Sequence, residues 1–270
     1  MRETACNLSV MINYCSNERS FIDVLLTQCL VFSNDIVVSY GSHLYDGTPE
    51  DMAHIAHCQN AFPTVQFVSY PVDATLDLSL QPGVKNRPTA YWHNLARWTA
   101  YQAIRNKGWA FVIDADEIPE GALVAEWLER FSPFLKENEC YKMANYWYFK
   151  DPTNRADTLE DSILLIHTSH MNRETVFGDY ERDHLIQKSG CKLLRRVRGR
   201  HNAVLWNHYS WCRSRKEMEH KIRNWAHSND MFKNVDAAKI VTFVFRDDGV
   251  NDVVHGYSYT KVPNKFNLKF

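Results

Sequence analysis

The stretch Trp109-Ala110-Phe111-Val112-Ile113-Asp114-Ala115-Asp116-Glu117-Ile118-Pro119 runs from five apolar residues straight into three acids within four positions. An uninterrupted apolar run of this length reads as a strand buried on both faces, as in a parallel sheet covered by helices. The acids then fall at the carboxyl end of a core strand, which is where open α/β sheets bind their ligands. Two carboxylates one residue apart can turn into one crevice there and offer oxygen ligands to a hard divalent ion, Mn2+ or Mg2+. A competing reading makes Asp114 a turn cap and lets Asp116 and Glu117 open a helix over residues 122–131, where acids are favoured.

Upstream of this stretch, strands and helices alternate. Residues 8–14 (LSVMINY), 36–40 (IVVSY) and 65–70 read as strands, and residues 19–32, 49–61 and 89–107 as helices. Pro49 is expected in the first turn of the second helix. The third carries an apolar stripe of Trp92, Leu95, Ala96, Ala100 and Ala103 or Ile104. Alternation of this kind predicts a mostly parallel central sheet with right-handed crossovers, flanked by helices. Downstream the pattern changes to strands at 141–150, 162–167, 192–197 and 204–209, one helix near 216–226, and a polar, irregular tail after Asp247. No linker or repeat interrupts the chain. The expectation is one continuous α/β domain over 1–270 with two functional halves, residues 1–120 and a smaller mixed α+β half, 121–270.

Three strand ends would then share one rim. They carry Cys15-Ser16-Asn17-Glu18-Arg19, Gly41-Ser42-His43-Leu44-Tyr45-Asp46-Gly47, and the acids from Asp114. With 270 residues and 45% hydrophobic content the chain can bury a core, and disorder is excluded. Thirty-one Lys and Arg against 32 Asp and Glu leave a net charge of -1, which gives no global attraction to nucleic acid or anionic lipid. No stretch is apolar for long enough to span a bilayer, and the N-terminus lacks the apolar core of a secretory signal. Seven scattered cysteines without a C-x-x-C pair encode neither a disulfide framework nor a zinc knuckle, so a reducing, cytoplasmic location is expected. The Asn7-Leu8-Ser9 sequon falls at the start of a buried strand and reads as accidental.

The run AFVIDADEIPEG, with NYCSNER after the first strand and WHNLARW on the helix before the acids, resembles the DxD-type glycosyltransferases of GT-A (Rossmann-like) fold. Those enzymes move a sugar from a nucleotide-diphosphate-sugar to an acceptor hydroxyl. WNHYSWCRSRKEMEHKIRNWAH is similar to the closing segment of the family that adds bisecting N-acetylglucosamine, and glycosyltransferases of large DNA viruses combine similar motifs. The resemblance covers about two thirds of the chain and fades over residues 151–190, where acceptor specificity would reside. It implies that Asp114 faces the ribose and metal, that Asp116 binds the metal bridging the diphosphate, and that His208 completes the metal shell. In this chain Asn207-His208 stands where the bisecting family has Gly-Trp-His. Lys221 would lie near the leaving diphosphate, and Asn17, Glu18, Arg19, Asp46, Asn94 and Arg97 would contact the donor, with UDP-sugars favoured. A soluble monomer or weak dimer is expected, with a glycan acceptor and no nucleic acid.

In such chemistry the departing diphosphate gains negative charge, so a held cation and a nearby Lys221 supply the main electrostatic assistance. An inverting reaction also needs a carboxylate to take the acceptor proton. Gly178-Asp179-Tyr180-Glu181-Arg182-Asp183-His184 offers three acids before a helix; Asp183 is the first choice and Asp179 the second. Asp116→Ala is expected to abolish activity with little change in melting temperature.

Other motifs have plainer readings. His54, His57 and Cys58 share a helix face but lack a fourth zinc ligand. The basic strip KLLRRVRGRH (192–201) reads as a hairpin with one solvated face and one or two arginines aimed at a diphosphate. The aromatics of 141–149 are core, with a few available as a sugar-stacking platform. A sugar nucleotidyltransferase would want a Gly-rich phosphate loop after the first strand, which residues 13–19 lack. A metal-dependent nucleic-acid-processing enzyme using the acids with the basic strip is the other alternative, and a carbohydrate-binding module has no use for paired acids. No G-x-G-x-x-G or P-loop is present.

Overall fold

The computed structural model describes residues 7–45, 47–73, 75–81, 84, 90–224, 236–247 and 249–270. The first half alternates β1 (Leu8–Tyr14), α1 (Arg19–Cys29), β2 (Asp35–Gly41), α2 (Met52–Ala61), β3 (Gln66–Tyr70), α3 (Ala90–Ala103) and β4 (Trp109–Asp114). Then come β5 (Glu117–Pro119), α4 (Gly121–Phe131), β6 (Glu139–Lys150), β7 (Asn154–His167), α5 (Arg173–Val176) and α6 (Glu181–Ser189). The chain closes with β8 (Lys192–Val197), β9 (Trp206–Cys212), α7 (Arg215–Asn224), α8 (Ala237–Val244) and β10 (Tyr259–Lys261).

One sheet collects strands from both halves in the order β3-β2-β1-β4-β7-β6-β9-β5, with β10 on β7 and β8 on β6. β1, β2, β3 and β4 pair in parallel, as do β6 with β8 and β9; β7 is antiparallel to both β4 and β6. The apolar run of β4 follows from its place at the centre. Phe111 and Ile113 belong to the core that also holds Phe21, Ile22, Leu25 and Leu26 of α1 and Val124, Trp127 and Leu128 of α4. The alternate residues Ala110 and Val112 belong to a second core with Ala100 of α3 and Leu185 and Ile186 of α6. With helices on both faces, the period-2 signal of a half-exposed strand vanishes.

Several expectations are corrected. α2 begins at Met52, with the Asp51 side chain accepting from His54 N at 3.0 Å; Pro49 stands outside it, in a bridge with His43. Residues 117–119 form a strand, not a helix start, and α4 opens at Gly121, whose N–H donates to Gln28 Oε1 of α1 at 2.9 Å rather than to an acid beside it. β7 extends upstream of residue 162 to Asn154, paired with β6; Arg155, Asp157, Glu160 and Asp161 break any apolar run there and hide it from the pattern. β8 is not part of a hairpin: α6 returns the chain so that β8 lies parallel to β6, after Gly190 ends the helix at φ 68°. α8 was absent from the sequence reading. Among the described residues, no helix is long and apolar enough to cross a membrane, and Cys15, Cys29, Cys58, Cys140, Cys191 and Cys212 are free thiols.

Candidate active site

The carboxyl ends of β1, β2 and β4 open onto a cavity of about 600 Å³. β1 contributes Asn13 and Tyr14 and continues into Cys15, Asn17 and Glu18; β2 ends in Gly41 with His43, Leu44 and Tyr45 beyond; β4 ends in Asp114, followed by Ala115 and Asp116. Gly41 is required by space. A Cβ there would meet His43 O at 2.7 Å and Val72 Cγ2 at 2.8 Å.

The turn between β4 and β5 aims both acids inward. Ala115 N donates to Asn13 O at 3.1 Å, and Tyr209 N to Asp116 O at 2.9 Å, so each side of the turn is pinned to a neighbouring strand. β5 then pairs antiparallel with β9, placing Glu117 opposite His208. Neither Asp114 nor Asp116 caps a helix.

Each acid carries its own set of cations. Asp114 lies 3.3 Å from Arg97 Nη2 and 3.2 Å from Arg182 Nη2. Burial opposes ionisation of Asp114, but the Arg182 and Arg97 guanidiniums prevail and hold its carboxyl below the usual carboxylate range. Asp116, more deeply buried, has Lys221 Nζ at 3.1 Å, Arg213 Nη2 at 3.3 Å and His208 Nε2 at 3.5 Å. Against its burial, Lys221, the His208 hydrogen bond and Arg213 keep that carboxyl well below its ordinary value. His208 shows the reciprocal effect: desolvation disfavours its charge, yet the hydrogen bond to Asp116 raises its pKa above the ordinary imidazole value.

Two residues the sequence reading passed over organise this site. Arg182 donates to both oxygens of the fully buried Glu117, at 2.7 and 2.9 Å, as well as to Asp114. Arg213 is buried and joins Glu18 to Asp116, while donating to Asn17 O at 3.0 Å. Their signal was charge inside otherwise structured segments, and only the fold reveals that both guanidiniums face carboxylates from distant elements. The first turn of α6 is clamped residue by residue. Glu181 pairs with Arg97 at 2.8 Å, Arg182 binds the β4–β5 turn, and Asp183 Oδ1 accepts from Lys142 Nζ of β6 at 2.6 Å.

Of the residues singled out by sequence, Asn17, Glu18, Asp114, Asp116, Asp183, His208 and Lys221 line the cavity together. Arg97 is buried behind the wall, reaching Asp114 and Glu181. Asn94 is also buried behind it and donates to Gly178 O at 2.9 Å. Arg19 turns to the surface and pairs with Asp51 at 3.1 Å, and Asp179 is not on the wall. Asp46 lies outside the described residues. No residue of the basic strip 192–201 lines the cavity, so its expected diphosphate contact is corrected: Arg195 forms a two-bond pair with Asp161 at 2.9 and 2.8 Å. His54 Nε2 sits 3.5 Å from Cys58 Sγ. Among the described residues no cluster of three or more His, Cys, Asp or Glu is arranged to hold a metal by itself.

A divalent ion would therefore find two protein ligands side by side, Asp116 and His208, on a wall that also bears cations suited to phosphate. That donor set, one carboxylate and one imidazole, fits an ion whose remaining positions are filled by diphosphate oxygens and water.

No family model matches the chain, and no curated protein sequence matches it. A solved structure to which it is similar is the mannosyltransferase PcManGT from Pyrobaculum calidifontis in complex with GDP-Man and Mn2+, at 8% identity and a TM-score of 0.47, over 90% of this chain and 76% of that one.

Proposed function

We propose that the chain is a metal-dependent glycosyltransferase that moves a sugar from a nucleotide-diphosphate-sugar to a hydroxyl of a saccharide acceptor. The observation that carries this reading is the convergence of Asp114, Asp116, His208, Lys221 and Glu18 on one cavity at the carboxyl ends of three parallel strands. That is where an open α/β sheet receives a nucleotide.

In this reading the half formed by residues 1–120 holds the donor. The Tyr14 hydroxyl is buried on the cavity wall without a hydrogen-bond partner among the described residues, and so offers a polar contact to the nucleoside. Asp116 and His208 would hold Mn2+ or Mg2+, which when bound would offset charge on the diphosphate. Lys221 and Arg213 stand beside Asp116 and add fixed positive charge where the leaving group forms, in a site partly shielded from water. Asp114, neutralised by Arg97 and Arg182, presents its remaining acceptor capacity to the ribose. Asp183 lines the cavity from the acceptor half (121–270) and takes the acceptor proton, an arrangement that suits inversion. Its partner Lys142, with Nζ 2.6 Å from Oδ1, fixes its direction.

Calorimetric titration with UDP-sugars and GDP-sugars in the presence of Mn2+, followed by assay of donor hydrolysis, tests the reading. Saturable binding of at least one donor with slow hydrolysis is expected. A protein that binds none and hydrolyses none is not a glycosyltransferase of this kind.

A further inference from the structure

Beyond His208 the cavity is walled by Trp147, Glu160, Val254 and His255, with Glu160 Oε2 3.9 Å from His208 Nδ1. The His255 ring stands edge-on to Trp147, centroids 4.8 Å apart at 81°, and stacks on Tyr257 at 4.8 Å and 14°. His255 Nε2 is 3.2 Å from Glu160 Oε1, and the Tyr257 hydroxyl donates to the same oxygen at 3.3 Å.

This wall is built from segments that local patterning would leave loose. Glu160 faces Asn145 across an irregularity in the β6–β7 pairing, where the register shifts between Met143 and Asn145. Asn145 Oδ1 accepts from Ser162 N and Oγ at 2.9 and 3.0 Å and so fixes β7 at this point. The segment bearing His255 is anchored by the Asp252 carboxylate. It accepts from Val254 N, His255 N, Tyr257 N and the Tyr259 hydroxyl at 2.8, 3.1, 3.2 and 2.8 Å. The tail turns Val250, Val253 and Tyr257 onto the core and also holds an imidazole that is 32% exposed in the cavity, beside a carboxylate and an indole edge.

Ring surface next to a paired acceptor and donor is the chemistry that recognises a pyranoside: C–H groups pack on the rings, and hydroxyls bond the carboxylate and the imidazole. The wall also discriminates by charge. Lys221 and Arg213 lie at the Asp116 end, whereas Glu160 presents a carboxylate at this end, so an anionic sugar meets like charge. Trp147 connects the two regions, because His208 also stands edge-on to it at 4.8 Å and 89°.

We infer that Trp147, Glu160 and His255 form the acceptor subsite and that its occupant is a neutral pyranoside. The inference rests on the glycosyltransferase reading and adds the place and class of the acceptor.

Saturation-transfer NMR tests it on the full chain with Mn2+ and UDP or GDP. The probes are the methyl glycosides of glucose, galactose, mannose and N-acetylglucosamine, with methyl glucuronide as the anionic comparison. At least one neutral glycoside should bind, the glucuronide should bind at least about tenfold more weakly, and His255→Ala and Glu160→Gln should each weaken the neutral glycoside by about tenfold, the scale of one lost hydrogen bond to a charged group. Nucleotide affinity and melting temperature of His255→Ala, read alongside, should stay near those of the parent. Neutral glycosides that bind both variants as well as the parent, or a glucuronide that binds equally, or no glycoside binding beside normal nucleotide binding, would overturn the subsite and leave the donor reading standing. A parent protein that binds no nucleotide would overturn the donor reading and the subsite with it.

Discussion

Asp116 Oδ2 lies 3.1 Å from Lys221 Nζ, although 105 residues separate them in the chain. The pair joins the turn after β4 to α7, and the carboxylate is also shared with Arg213 and His208. Sequence alone suggested that Asp116 could be removed without structural cost. Its burial among three cationic partners says otherwise.

Asp116→Asn should abolish sugar transfer and also lower stability, by on the order of 2–4 kcal/mol, because it leaves buried positive charge less compensated. Urea unfolding of parent and variant measures this directly. An inactive variant of unchanged stability would mean that the surrounding cations relax into water and that the ion pairs are not structural.

Arg182 should matter for a different reason. Glu117 is fully buried, and both of its oxygens accept from this guanidinium. Arg182→Met therefore strands a buried carboxylate and should cost about 3–5 kcal/mol. Arg182→Lys should recover only part of that loss, since an ammonium cannot form the two-pronged bond. Full recovery by lysine, read from denaturant midpoints, would contradict the geometry.

A pH effect follows from Asp35, remote from the cavity. Burial would raise its pKa, but the Ser9 hydroxyl, the Asn106 and Arg105 N–H groups and the Arg105 side chain hold its carboxyl below the usual range. A group depressed in the folded state stabilises above its unfolded pKa and loses that contribution as pH falls through the folded one. Asp35→Asn should thus be destabilised by about 2 kcal/mol at pH 7, and the gap from the parent should shrink as pH drops below about 4. A gap independent of pH between 3 and 7 would contradict this assignment.

Metal dependence should appear in nucleotide binding. In the proposed site Asp116 and His208 would be the adjacent ligands, with no third beside them among the described residues, so the ion and the diphosphate would complete each other's contacts. Chelation by EDTA should weaken GDP or UDP binding at least about tenfold, and His208→Ala should reproduce most of that loss in the presence of Mn2+. Nucleotide affinity indifferent to EDTA would show that Lys221 and the arginines bind the diphosphate unaided.

The alternation of apolar runs with helical spacing placed β1 to β4 within a residue or two; β1, β2 and β4 are buried on both faces and announce themselves by composition, while β3 is the half-exposed edge strand. The rim residues Glu18, Asp114 and Asp116 were legible for the same reason: they follow such strands directly. Arg182 and Arg213 were not, since nothing in a single guanidinium's local sequence says which carboxylate it will meet after folding. β7 was half-hidden, because its upstream residues face the cavity or solvent and carry charge. His255 was hidden altogether in a polar tail whose order depends on one carboxylate, Asp252, gathering four hydrogen bonds.

Anomalous diffraction from a crystal soaked with Mn2+ and a nucleoside diphosphate should show one manganese peak within bonding distance of Asp116 and His208, with the diphosphate between it and Lys221. A nucleotide seated elsewhere, or manganese bound away from Asp116, would contradict the proposed donor site.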